Sequence, residues 1–283
     1  MTSRTIVGMV LVRPTGRLGS EPYFYELIAG MENVLIAAGA TFVVHVVDDL
    51  EQELDVYRRW STERSVDAVM LVDLMVNDQR PATLRELGTP TLVLGNPSVG
   101  EGCPTLWYDD DFAIALAVES IAARGHRSIA RVSGPRTLLH TKTRSAAFQR
   151  ECESRGISWS EREGDYSQRA GEMAARHIIS SDDPPTAIVF DNDLMALGAL
   201  TALTKLGVRI PGELSLVAWD DSPLCQLSDP SLSVIAQDVQ RVGEIAAGVL
   251  LDYLGGAPAR DVVTPFPAFV QRQTTAAPRT SDR

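Results

Sequence analysis

The chain has 283 residues, enough for two cores of ordinary domain size. Its 45% hydrophobic and 22% charged content is ordinary for a globular protein, and no apolar run approaches the ~20 residues that a membrane span needs. Acidic residues outnumber basic ones 37 to 26, a formal charge of −11. A nucleic-acid-binding face must neutralise phosphates with clustered Lys and Arg. The dense basic runs here are short, as at Arg58–Arg59, so this surface is not expected to grip DNA.

Hydrophobic periodicity gives the elements in chain order. They run strand 5–12, helix 22–38, strand 41–47, helix 50–64, strand 67–73, helix 81–87 and strand 90–95. A Gly- and Pro-rich stretch, NPSVGEGCPTLWYDDD (96–111), leads to a helix at 111–124 closed by Gly125. A second series follows: strand 128–133, helix 142–156, a weak strand near 160–164, helix 167–180, strand 185–190, helix 193–206 and strand 214–219. Both series open alike, with RTIVGMV (4–10) and RSIARVS (127–133). The pattern predicts an α/β protein of two doubly wound halves of similar build.

After 219 the chain adds strand 233–237, helix 238–254 and strands near 261–266 and 268–272. One half rarely needs all of these, so the chain is expected to cross between halves three times, near 109, 237 and 266. The halves are then 1–109 with 238–265, and 110–237 with 266–283, joined by a hinge. The tail TTAAPRTSDR (274–283) reads as disordered. Cys103, Cys152 and Cys225 are sparse and lack CxxC spacing, which fits a reduced, cytoplasmic setting. MTSRTIVGMV has no cleavage motif, because strand residues begin at once.

GxGxxG, GxxxxGK, GxSxG and HExxH are all missing, and His45, His126, His140 and His177 are scattered. The expectation is a binder, not an enzyme, with no cofactor and no metal. Asp109, Asp110 and Asp111 stand at a loop-to-helix junction, where an acidic run serves as cap and dipole partner or as a cation site. His126 reads as a helix-end residue.

Two strand ends carry the polar signal: TAIVFDNDLMALGALTAL (186–203) and LSLVAWDDSP (214–223). Parallel strands bring their carboxyl ends to one edge, and ligands bind there. Asp193 reads as an N-cap. Asn192 offers a donor and an acceptor beyond that need, and at the next strand end Asp220 and Asp221 are either turn residues ahead of Pro223 or, with Asp220 the first choice, a ligand contact. Tyr166 in EGDYSQ (163–168) either stacks on a sugar face or sits half-buried in the core. Arg144 in LLHTKTRSAAF (138–148) is either a surface residue or a fork for vicinal hydroxyls or a carboxylate. Tyr23 and Phe24, after the loop at 13–22, either staple their helix or form an aromatic wall.

PYFYELIAGMENVLIAAG (22–39), ESIAARGHRSIARVSGP (119–135), TRSAAF (143–148), EGDYSQRAGEMAA (163–175), PTAIVFDNDLMALGAL (185–200), LSLVAWDDSP (214–223), VIAQDVQRVGEIAAGVLL (234–251) and FVQRQTTA (269–276) together resemble the LacI/GalR family of bacterial transcription regulators. The match keeps order and spacing over nearly the whole chain. It implies two Rossmann-like lobes of parallel sheet flanked by helices, of the periplasmic binding protein type I kind. It also implies a ligand cleft between the lobes and a homodimer. Carried over by position, Arg144, Asn192 and Asp220 fall on ligand contacts, Tyr166 on the stacking aromatic, Phe24 on the aromatic of the first helix, and Gln237 on the crossover strand. Two departures bear on ligand identity. Gly95–Asn96 stands where the family often has Asp or Arg, and Ala147 replaces its usual Gly. The resemblance further implies an N-terminal helix-turn-helix and hinge helix. SRTIVGMV begins where the core begins, so that part is expected to be missing. The function so implied is the effector-binding and dimerisation core of a sugar-responsive repressor that meets operator DNA through the missing part. A sugar transporter's solute-binding protein and a doubly wound enzyme are the competing classes.

Overall fold

The computed structural model describes residues 4–13 and 21–279, and these form two compact units. Most of the loop at 13–22 and the last four residues of the tail lie outside the described residues. The chain passes from one unit to the other after Tyr108, Gln237 and Pro265.

The first unit contains β1 (Ile6–Val12), α1 (Pro22–Ala37), β2 (Thr41–Val47), α2 (Leu50–Glu63), β3 (Ala68–Leu71), α3 (Arg80–Glu86), β4 (Thr91–Leu94) and β5 (Thr105–Trp107). The sheet order is β11-β5-β4-β3-β1-β2, where β11 is Val262–Val263, and every pairing is parallel. The second unit contains α4 (Asp110–Ala122), β6 (Ser128–Ser133), α5 (Leu139–Ser154), β7 (Ser158–Glu163), α6 (Gln168–Ile179), β8 (Ala187–Phe190), α7 (Asp193–Lys205), β9 (Ser215–Trp219), α8 (Pro223–Leu227) and β10 (Ser233–Ala236). The first unit also takes α9 (Val239–Leu254), and β12 (Ala268–Val270) closes the second sheet. That sheet runs β12-β10-β9-β8-β6-β7, parallel except for the β10–β12 pair.

The central strands are apolar throughout because helices cover both faces. In the first unit α1 and α9 pack on Val7, Met9, Met70 and Leu92. In the second, α6 and α7 cover Val132, Ile188, Phe190 and Leu216, while α4 and α5 cover Ile129, Val189, Val217 and Trp219. Close helix contact needs glycine at the crossing of α1 and α9. A Cβ on Gly30 would lie 1.9 Å from the Gln240 carbonyl oxygen.

Three sequence expectations change. β5, the short 3-10 turn Pro97–Val99 and α8 add elements that the periodicity does not mark, because three to five residues carry no period. α5 starts at Leu139, not 142, so Arg144 lies in its second turn and does not open it. The third change concerns the tail, which is ordered through 279. Thr274 and Thr275 are buried, and Thr274 Oγ1 donates to the Leu216 carbonyl at 2.8 Å while accepting from Ser233 N at 2.8 Å. The polar tail satisfies buried backbone groups of β9 and β10, which composition alone does not register.

His126 is part of that anchorage. It is buried, with Nδ1 2.8 Å from Thr186 Oγ1 and Nε2 2.9 Å from the Ala276 carbonyl. Burial lowers its pKa, more than the Ala276 contact raises it. An unfolded histidine takes up a proton below about pH 6.5. The folded state resists that proton, so stability is lost as pH falls through this value. The wild-type unfolding free energy is therefore expected to fall more steeply than that of His126→Gln between about pH 6.5 and 5, by up to about 1.4 kcal/mol per pH unit. Parallel curves in a pH series of thermal melts would remove histidine 126 as the titrating group.

Candidate functional site

In the second unit the carboxyl edge of the sheet carries Asp191 and Asn192 after β8, and Asp220 and Asp221 after β9. These acidic and amide residues are engaged by the protein in different ways. Arg131, wholly buried in β6, donates from Nε to Asp191 Oδ1 at 2.8 Å and from Nη1 to Glu161 Oε2 at 2.6 Å. Its Nη2 meets Asp191 Oδ2 at a charged contact of 2.5 Å, and Gly134 N donates to the same oxygen at 3.1 Å. Asp191 is thus the counter-ion of a buried strand arginine. A charge inside the apolar run RSIARVS was the available signal, and sequence reasoning passed over it.

Asn192, not Asp193, caps α7. Its Oδ1 accepts from Met195 N at 2.9 Å, and its Nδ2 donates to the Tyr166 carbonyl at 2.9 Å. The amide keeps one N–H and one lone pair beyond those bonds. Asp193 is the first helical residue and is buried. Burial pushes its carboxyl above the usual range, against smaller lowering by Ser222 and backbone N–H groups.

Tyr166 and Asp220 both have left-handed backbone, at φ 65° and 67°. Aspartate tolerates this region, whereas a bulky aromatic there is strained by about 1–2 kcal/mol. The strain at Tyr166 is held by Asn192 on its carbonyl and by the ring's neighbours. Its hydroxyl lies 2.8 Å from His140 Nε2, and a Cβ on Gly134 would come within 2.0 Å of it. Strained residues persist where surroundings over-determine them, and they concentrate at functional sites. Tyr166 is half-buried against the α6–α7 core.

Arg144 combines the two readings its sequence left open. Its side chain is 11% exposed, Nε donates to Asp110 Oδ1 at 2.6 Å, and the guanidinium lies over the Trp219 ring with Cζ 4.2 Å from the centroid. Burial works against its charge, but Asp110 and Asp191 outweigh burial and raise its pKa. Nη1 and Nη2 have no hydrogen-bond partner among the described residues. Asp109 caps α4 through Phe112 N at 2.9 Å, and Asp111 pairs with Arg150 at 2.9 Å. Asp221 Oδ2 accepts from Arg272 Nη2 at 2.7 Å, and Asp220 N donates to the Ile235 carbonyl at 3.0 Å. Gln237 follows β10, the neighbour of β9.

Arg144, Tyr166, Asn192, Asp220 and Gln237 therefore belong to one unit, and Phe24 to the other. In that first unit Phe24 is buried on α1, edge-on to Tyr23 at 5.1 Å, with Arg13 over its ring at 4.7 Å. Arg13 Nη2 donates to Asp73 Oδ2 at 2.8 Å, and Arg13 Nε pairs with Glu21 at 2.8 Å. Behind it, buried Arg80 donates to Glu53 Oε1 at 2.9 Å and to the Asp73 carbonyl at 2.7 Å. This layer fixes the left-handed Asp73, φ 52°, and was not anticipated from the sequence. Among the described residues no cluster of three His, Cys, Asp or Glu side chains is placed to hold a metal ion, and no helix is long and apolar enough to cross a membrane.

Two parallel α/β units, joined by three passages of the chain, with polar residues at the strand ends, define the periplasmic binding protein type of fold. A family model described as a periplasmic binding protein-like domain matches residues 118–275. The chain belongs to the LacI family of transcriptional regulators. A LacI family transcriptional regulator from Bifidobacterium animalis superposes with a TM-score of 0.90 at 30% identity, covering 98% of this chain and 100% of that one. The regulator MalR of Streptomyces coelicolor is 32% identical over 213 residues, 72% of this chain and 61% of MalR, so the chain spans about three fifths of that relative. A dimeric Lac repressor superposes with a TM-score of 0.84 at 25% identity, covering 96% of this chain and 100% of that one. The regulator CelR in complex with cellobiose shares the fold, with a TM-score of 0.87 at 24% identity over 96% of this chain and 85% of that one.

Proposed function

We propose that this chain is a binding module without enzymatic turnover, the sugar-binding and dimerising core of a cytoplasmic transcription repressor. Its effector is a saccharide, and the residues assigned to binding it are Arg144, Tyr166, Asn192, Asp220, Gln237 and Phe24. The observation that carries this reading is the Arg144 fork, charged, largely buried and with neither terminal nitrogen hydrogen-bonded among the described residues, in the same unit as the left-handed residues Tyr166 and Asp220. A fold that accommodates cellobiose in CelR supports a saccharide, and the dimeric Lac repressor supports a homodimer. Operator DNA is met through a helix-turn-helix part. The mechanism is a population shift: an effector that binds one arrangement of the units more tightly favours it, by no more than its differential affinity.

A thermal-shift screen against sugars, sugar phosphates, nucleosides and nucleobases tests this. A ligand at a hundredfold excess over its Kd stabilises the native state by about 2.7 kcal/mol, and the expected result is such a shift with one saccharide class. A shift confined to nucleobases would replace the saccharide reading, and turnover of a bound sugar would end the non-enzyme reading.

A further inference from the structure

The surroundings of Arg144 narrow what it binds. A guanidinium carries five N–H donors in a fixed plane. One is spent on Asp110 at 2.6 Å, and one face is covered by the Trp219 indole at 4.2 Å. Asp110, itself 12% exposed, lies in the first turn of α4, and Trp219, 5% exposed, is the last residue of β9. These two contacts come from different elements and fix both the in-plane rotation and the tilt of the fork. The Nη1–Nη2 edge is then a preset pair of donors without a hydrogen-bond partner among the described residues.

Its charge, meanwhile, is already answered. Arg144, Arg131 and Arg136 together face Asp110, Asp191, Glu161 and Glu163, three guanidinium groups against four carboxylates. A phosphate or carboxylate added to this excess of carboxylates sets like charges together, which disfavours its binding. A neutral pair of adjacent hydroxyl oxygens needs only the geometry.

We infer that Trp219 and Asp110 are positioning residues that hold Arg144 as a rigid two-pronged donor for an uncharged vicinal diol, and that the site rejects phosphorylated and carboxylated analogues. This rests on Arg144 being a ligand contact, and its two halves are tested separately.

The first test needs no ligand. In protein labelled with 15N-arginine, the Arg144 Nε–H resonance is assigned by its loss in Arg144→Lys. It is expected to exchange slowly with water and to be displaced by the indole ring current. Asp110→Asn should speed its exchange about tenfold, and Trp219→Leu should abolish the displacement, while Trp219→Phe, which retains a ring and the fold, restores part of it. A resonance indifferent to both Asp110→Asn and Trp219→Phe overturns the positioning role. The second test is a thermal-shift titration with cellobiose, D-glucose and D-ribose beside D-glucose 6-phosphate and D-ribose 5-phosphate. The expected result is stabilisation by a neutral sugar and a response at least tenfold weaker to its phosphate. Preference for a phosphate overturns the diol specificity. No response to any of the five removes the diol half together with the saccharide reading, and the resonance data still decide the positioning half.

Discussion

Arg131→Met is expected to cost about 3–5 kcal/mol of folding stability, the loss typical when one partner of a buried ion pair is removed. The guanidinium is fully buried and answers Asp191 and Glu161, whose side chains are 0% and 8% exposed. Without it, Asp191 stays buried with one donor, Gly134 N, while Glu161 keeps Ser145 Oγ and Arg136. The damage reaches the strand edge, because Asp191 immediately precedes the Asn192 cap that holds the Tyr166 carbonyl. Urea unfolding of Arg131→Met and of Arg131→Met/Asp191→Asn checks this. The double variant should recover part of the loss, since the asparagine carries no charge to strand. A single variant within 1 kcal/mol of wild type would show that the network is not holding this edge.

Arg144→Ala should weaken binding of the saccharide found by thermal shift about a hundredfold or more, with little loss of stability. A hydrogen bond between a charged group and a neutral one contributes about 1.5–3 kcal/mol, and the fork loses two. Folding loses less, because the Asp110 carboxylate left behind lies in the first turn of α4, where the helix dipole favours a negative charge. Arg144→Lys should not rescue, since an ammonium offers neither the planar fork nor its Nε contact. Asp220→Asn, which keeps a side chain tolerant of φ 67°, should also reduce affinity. Calorimetric titration of the three variants gives the comparison. Wild-type affinity in Arg144→Ala and Asp220→Asn would remove both residues from the site.

Much of this protein was legible from its residues. The apolar runs at 41–47 and 128–133 became β2 and β6 with the bounds read from their period. Long strands and amphipathic helices record their environment in every residue, so their pattern survives without a structure. Short elements do not. β5 is three residues inside a Gly- and Pro-rich stretch, and it exists because β4 and β11 offer it backbone partners.

The strand edge shows where local pattern stops deciding. The sequence by itself established that DND at 191–193 ends a strand and begins a helix, and that such an edge is polar. Only the tertiary structure separated the three: Asp191 to a buried arginine, Asn192 to the helix cap and the Tyr166 carbonyl, and Asp193 to a buried first turn. Their chemistry is nearly alike and their spacing identical. Their partners differ because the sheet sets β6 beside β8, bringing Arg131 from sixty residues upstream to Asp191, and places the turn after β7 against Asn192. A side chain's role at a sheet edge is set by what a distant strand delivers to it, and no window of neighbouring residues contains that information.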